Sequence, residues 1–268
     1  PQWYDRMRGR RRRLITSGAG AETQSSTNVL NRFNQAGFRA GTDTDINNSS
    51  YTYVAHMFRR APKFFDIVAY RGNQQANRNI EHNLKTTPEM MVVKSRTTGE
   101  WWYVYHKDLD STAPEDKYLA LNNTNNVADS PNIWDDRAPT ATTFAVGQYN
   151  DTNGSDKDYI AYLWATLDGI SKVGSYTGNG STQTIDCGFS AGARWVMLKR
   201  SSANSGNWIV IDSARGIVSG DDPFYNLNAA TAEDTTTDII DPANSGFSLT
   251  SESLGNQSGT EYIFLAIA

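Results

Sequence analysis

Apolar residues in this chain fall in short runs separated by clusters of Gly, Asn, Asp, Ser and Thr. Met90-Met91-Val92-Val93 is apolar without a break. It starts after Pro88 and stops at Thr97-Thr98-Gly99, which predicts a fully buried strand. Trp102-Tyr103-Val104-Tyr105 predicts a second strand, paired with the first as a hairpin. Trp195–Leu198 and Trp208–Ile211 predict that hairpin again, around a loop at Ser205-Gly206-Asn207. Tyr159–Trp164, after an Asn153-Gly154 turn, predicts a third strong strand. No long stretch keeps a helical period. Trp101 precedes Trp102, and strand neighbours point to opposite faces, so one of the two is expected at a surface or interface.

The runs recur. PEMMVVK at 88–94 returns as ARWVMLK at 193–199, an offset of 105. WYVYH from Trp102 returns as WIVID from Trp208, and YLALN from Tyr118 as FYNLN from Phe224, both at 106. Tyr70-Arg71-Gly72-Asn73 returns as Tyr176-Thr177-Gly178-Asn179, and YIAYLWA from Tyr159 as YIFLAIA from Tyr262. The matches keep their order, which reads as a tandem duplication.

The N-terminal segment joins the same pattern. Asp5–Gly9 matches Asp212–Gly216, Gly37-Phe38 matches Gly246-Phe247, and Tyr53-Val54-Ala55 matches Tyr159-Ile160-Ala161. Residues 1–61 therefore read as the C-terminal half of a first repeat whose front half is expected upstream of Pro1. Residues 62–166 are the second repeat and 167–268 the third. Six or seven short strands in about 105 residues predict an all-β chain of tandem antiparallel β-sandwich repeats. The short linkers at 59–63 and 166–169 predict domains packed like beads rather than modules that swing freely. One departure stands out. Trp3 and Asp5 are separated by one residue, against three between Trp208 and Asp212, so the first strand is expected to be shorter or bulged.

These motifs carry a resemblance. The series Tyr176–Ser181, Lys199-Arg200, Trp208–Gly216, Gly246-Phe247 and Tyr262–Ala266 resembles a domain of unknown function found in large virion proteins of tailed phages. Those phages are notably marine and cyanobacterial, and the domain often sits beside lectin modules. The resemblance implies a non-enzymatic virion structural protein: a tail fibre or tail-associated appendage, with a capsid decoration protein as an alternative. It implies an extracellular, particle-surface location, other virion proteins as partners, and self-association, with a homotrimer expected for a fibre. It brings no catalytic residues and no cofactor.

Composition changes this picture only in places. Asn, Thr and Ser make up 72 of the 268 residues, with 13 Tyr and 7 Trp, as strands and turns would require. The net charge of −4 argues against a general nucleic-acid binder. The single cysteine, Cys187, excludes an intrachain disulfide and a cysteine-built zinc site, and it reads as a small buried hydrophobe. No apolar run is long enough for a membrane-spanning helix.

Charge is uneven. Arg6, Arg8, Arg10, Arg11, Arg12 and Arg13 all fall within the first 13 residues, and without that segment the charge would be −9 (19 basic against 28 acidic). The strip reads first as a subunit contact, then as plain surface, then as a site for an anionic polymer. Asp5 and Arg8, like Asp212 and Arg215, read as a structural pair at a turn.

Trp101, Trp134 and Trp164 are the candidate aromatics for holding a host surface glycan or for an interface, which keeps a carbohydrate-binding module as the second functional reading. Asp151–Asp156 departs from a calcium loop and reads as a polar hairpin turn. The adjacent acids Asp135-Asp136 and Asp221-Asp222 cannot flank one glycosidic bond from neighbouring strand positions. His56, His82 and His106 match no catalytic or zinc-ligand spacing.

Overall fold

The computed structural model describes residues 1–25, 29–202 and 206–268; Ser205 of the expected loop lies outside the described residues. The first unit contains β1 (Gln2–Trp3), β2 (Arg12–Ile15), β3 (Thr23–Gln24), β4 (Leu30–Asn34), β5 (Gly37–Ala40) and the single turn α1 (Thr44–Asn47). The second contains β6 (Phe65–Arg71), β7 (Arg78–Glu81), β8 (Met90–Ser95), β9 (Trp102–His106), β10 (Lys117–Ala120), β11 (Ala128–Asp129), β12 (Thr143–Val146), α2 (Asn150–Asn153) and β13 (Asp158–Trp164). The third contains β14 (Ser171–Thr177), β15 (Gln183–Asp186), β16 (Trp195–Arg200), β17 (Trp208–Asp212), β18 (Phe224–Asn226), β19 (Ile240–Ala243), β20 (Gly246–Leu249), α3 (Ser253–Asn256) and β21 (Glu261–Ile267). The chain is all-β and its sheets are antiparallel.

The second and third units have one strand order. The large sheet of the second runs β11-β10-β9-β8-β13-β6, and that of the third runs β18-β17-β16-β21-β14. The expected hairpins form, with Met90 opposite His106 and Trp195 opposite Asp212. A small sheet covers one face of each large sheet: β12 with β7, and β15 with β20 and β19. The interior of the second sandwich holds Met91, Val93, Tyr103, Tyr159 and Leu163 against Ile80, Phe144 and Val146. In the third, Val196, Leu198, Tyr262 and Phe264 meet Ile240, Phe247 and Leu249.

Two details recur in every unit. A tyrosine at the start of the closing strand, or in the first unit of the extended segment 51–60 in its place, clasps the helical turn before it. Tyr159 Oη accepts from Gly154 N (2.7 Å) and donates to the Asn150 carbonyl (2.6 Å). Tyr262 does the same with Gln257 N and Ser253 O, and Tyr53 with Asn48 N and Thr44 O. An asparagine at the end of each helical turn donates to the chain before that turn: Asn47 to Gly41 O (2.6 Å), Asn153 to Gly147 O (2.8 Å) and Asn256 to Thr250 O (2.6 Å).

The units pack closely, and they do so around one shared core. The second face of each large sheet is also apolar, so it cannot be left in water. One core gathers Leu14 from the first unit, Met90, Val92, Trp102, Tyr162 and Trp164 from the second, and Met197, Trp208, Ile263 and Leu265 from the third. Short linkers hold the units close enough for these faces to meet. The uninterrupted apolar runs carry two faces, one for each unit's own sandwich and one for the shared core.

The contacts around this core are cyclic. Trp102 Nε1–H donates to Gly18 O of the first unit (3.1 Å), and Trp208 Nε1–H to Ala120 O of the second (2.9 Å). Glu22 N donates to Arg96 O, and Val127 N to Ser201 O, each at 2.9 Å. Both donor and acceptor shift by 105 between these two bonds, so the two interfaces use one contact. The third interface brings His56 and Phe58 against Asp212 and Trp195 (His56 Nε2 to Asp212 Oδ2 3.0 Å; Phe58 and Trp195 ring centroids 5.3 Å apart), closing third unit to first.

Candidate interaction surface

The arginine strip does not form one cationic face. Arg8 is buried, pairs with Asp5 through its Nε, and donates to Trp3 O (2.9 Å). Its counterpart Arg215 pairs with Asp212 (2.6 Å) and donates to Val210 O (3.0 Å). The Asp–Arg pair is therefore a structural strut. Arg12 reaches Glu22 (3.1 Å), which also takes Arg96 (3.0 Å), so this pair ties the first unit to the second. Arg13 pairs with Asp45 (2.8 Å). Arg6 donates to the Asn34 carbonyl and lies 5.8 Å from the Phe33 ring.

Arg10 is exposed and Arg11 half-buried, and neither has an acidic partner among the described residues. Three of the six charges are paired with acids of the same chain, and only that of Arg8 is buried. Chain folding separates residues that are contiguous in sequence, and the acids that neutralise them lie up to 32 residues away.

The three tryptophans also part company. Trp101 is 39% exposed. Trp134 and Trp164 are buried, which removes them as faces on which a sugar could stack. Trp134 donates from Nε1 to Lys117 O (3.0 Å) inside the second sandwich. Trp164 stands in the shared core, 5.0 Å from Phe65 and 6.3 Å from Phe58 between ring centroids.

Around Trp101 the fold assembles a cluster that spacing alone conceals. Tyr103 lies 6.3 Å from Trp101, 5.3 Å from Tyr118 and 5.7 Å from Tyr149, centroid to centroid. Tyr103 Oη donates to Asp151 Oδ2 (3.1 Å). Asp151 is hydrogen-bonded to Glu100, and Glu100 pairs with Lys157 (3.1 Å). Burial and the neighbouring Glu100 push the Asp151 carboxyl up to about 6, while its bonds to Asp151 and Lys157 overcome burial to hold Glu100 low. Asp151 is therefore the member of the pair that takes a proton first as pH falls through about 6. Asp151 is 51 positions from Glu100; only the packing of α2 against the β8–β9 hairpin brings them together. The one sequence sign was an acid in the first turn of α2.

Two lysines are buried in matching places. Lys94 Nζ donates to Ser95 O (2.7 Å) and lies 6.0 Å from the Trp102 ring. Lys199 Nζ donates to Gly206 O (2.7 Å) and to Thr124 O of the second unit (3.1 Å), also 6.0 Å from the Trp208 ring. Burial lowers Lys94 to about 8 and Lys199 to about 7. Cys187 is buried, and its thiol is pushed up to about 12. Among the described residues no group of three or more His, Cys, Asp or Glu could hold a metal ion, and no helix is long and apolar enough to cross a membrane.

A family model for a domain of unknown function, DUF7483, matches residues 2–268. The chain belongs to that family. The DUF7483 match takes in all three units at once, in keeping with the core they share. No curated protein and no solved structure matches the chain.

Proposed function

We propose that this chain is a non-enzymatic structural component of a phage virion, a tail fibre or tail-associated appendage. The observation that carries the reading is the cyclic packing of three β units on one apolar core. Such a body is rigid, needs no disulfide, and has the threefold layout of a fibre shaft or tip. The motif series from Tyr176 to Ala266 supports the phage setting. Within one chain the three units already do what three subunits would do in a homotrimer, so one chain suffices at each threefold position. Other virion proteins are its partners, and the particle surface is its location.

Antibody-labelled electron microscopy of purified virions tests this: label at the tail is expected, and unlabelled particles would overturn it. Copy number separates an appendage, at tens or fewer per particle, from a capsid decoration protein, at hundreds.

A second reading rests on the Trp101 cluster. Exposed Trp101 and Tyr149 beside the Glu100–Asp151 pair offer a stacking face next to hydrogen-bonding oxygens, as a host glycan would need. Glycan-array binding that is lost in Trp101→Ala and kept in Trp134→Phe supports it; a blank array counts against it.

A further inference from the structure

At one end of the third sandwich, where β16 and β18 stop and β17 begins, lies a cleft of about 370 Å³. That is within the range of roughly 300–1,000 Å³ usual for small-molecule sites. Its apolar lining is Ile209, Phe224 and Leu254, the last 44% exposed. Its polar lining includes Arg200, Asn207, Asn226 and Asp234. Bonds within the fold fix these walls. Arg200 Nη2 donates to Ser253 O (2.8 Å) and Tyr262 Oη (3.3 Å), Asn207 Oδ1 accepts from Asn228 Nδ2 (2.8 Å), and Asp234 Oδ1 accepts from Thr236 N (2.9 Å). Arg200 Nε and Asn226 Oδ1 are buried and hydrogen-bonded to nothing among the described residues. The lining residues thus keep a donor and an acceptor that the chain itself does not use.

The second unit shows what fills the same place. The offset of 106 puts Trp101 at the position of Asn207, Tyr103 at that of Ile209 and Tyr118 at that of Phe224. Alignment of α2 with α3 puts Asp151 at that of Leu254. The rings of Trp101 and Tyr118 lie 6.3 and 5.3 Å from that of Tyr103. The second unit therefore occupies with its own rings a position that the third leaves open, and the occupant that fits the third is a ring. A phenyl or phenol ring would leave most of the four polar side chains unanswered, whereas a ring bearing several hydroxyls answers them with donors and acceptors together. Among the lining residues only Arg200 and Asp234 are charged, and their charges cancel, which favours an uncharged ligand.

We propose that this cleft of the third unit binds a neutral saccharide, with one sugar ring standing where the second unit carries its aromatic rings. The apolar face of the sugar lies on Ile209, Phe224 and Leu254, and its hydroxyls meet Arg200, Asn207, Asn226 and Asp234. The site is separate from the exposed face of Trp101 and does not depend on it.

Methyl and side-chain NMR of the whole chain tests this, with glucose, galactose, mannose and N-acetylglucosamine as probes and glucuronate as the charged comparison. At least one neutral sugar is expected to shift the Ile209 and Leu254 methyl signals and the Asn207 amide signal saturably. Asn207→Trp brings in the ring that the second unit has and should abolish binding. Asn226→Ala removes a hydrogen-bonding partner without adding bulk and should weaken binding about three- to tenfold; it decides the matter if Asn207→Trp does not fold. No shift with any of the four sugars, affinity unchanged in the folded variants, or binding of glucuronate alone overturns the proposal. Shifts confined to the Trp101 indole N–H overturn it as well, while supporting a glycan site at the Trp101 cluster.

Discussion

His56 and Asp212 are 156 residues apart in the chain and 3.0 Å apart in the fold, Nε2 to Oδ2. Asp212 also holds Arg215, and Tyr225 Oη meets His56 Nδ1 at 3.2 Å. A neutral imidazole with its proton on Nε2 satisfies both of its contacts. Burial lowers the His56 pKa, which keeps the ring neutral, and Asp212 offsets part of that. Burial alone would raise Asp212, but the bonds from His56 and Arg215 hold it low.

Removing the Asp212 carboxylate leaves His56 without its acceptor and takes from Arg215 the buried one of its two carboxylate partners. Asp212→Ala is expected to cost about 3–5 kcal/mol in urea unfolding, as breaking a buried pair does. Asp5→Ala should cost as much, since Asp5 serves Arg8 and accepts from Tyr162 Oη (2.8 Å) in the same role at the first interface. Losses below about 1 kcal/mol would mean that these pairs are mere surface contacts.

His106 is the counterpart of Asp212 in the second unit. It is buried against the third, with Nε2 3.4 Å from Phe264 O. Burial pushes its pKa down to about 3. Below the ordinary value of 6.5 the unfolded chain takes a proton that the folded chain refuses, so stability falls as pH drops from 6.5 toward 3. Asp151 and Asp222, raised to about 6, work in the opposite direction below that pH. The comparison is therefore with His106→Asn: denaturant melts at pH 7 and pH 5 should show a smaller acid loss in the variant than in the parent.

Lys199 makes the opposite end of the pH range informative. Its folded pKa of about 7 lies below the ordinary 10.5, so protons leave the folded chain first and stability rises between pH 7 and 9. Lys199→Met should flatten that rise in thermal melts over the same window. An unchanged slope would show that the amine stays charged in the fold.

Gly178 and Gly72 test the repeated geometry where the chain passes close to a backbone carbonyl. A Cβ there would sit 2.3 Å from Gln257 O, and one at Gly72 would sit 2.0 Å from Gly154 O. Both obstacles are backbone and cannot turn away. Gly178→Ala and Gly72→Ala should each cost about 1–3 kcal/mol or more. Gly18→Ala, with nothing within 4 Å, is the matched control and should stay within about 0.5 kcal/mol.

Much of the fold was legible because its signals are local. The break at Pro88, the run from Met90 to Val93 and the turn at Thr97–Gly99 each act over a few residues, and β8 and β9 form where they direct. Trp101 and Trp102 take opposite faces because strand geometry alternates, with one 39% exposed and the other 0%. The candidate site was less legible. Arg8 and Arg10 are two residues apart, yet one is a buried strut and the other is exposed. Glu100 and Asp151 become partners only through packing, and no local signal marks the two together.

By itself the sequence determined the strands, their recurrence at about 105 residues and the all-β class, since alternation, turn chemistry and apolar runs are properties of neighbours along the chain. Only the tertiary structure decided that the units close on one another. An uninterrupted apolar strand states that two faces must be buried; it does not state what buries the second. The shared core supplies that answer for the second and third units.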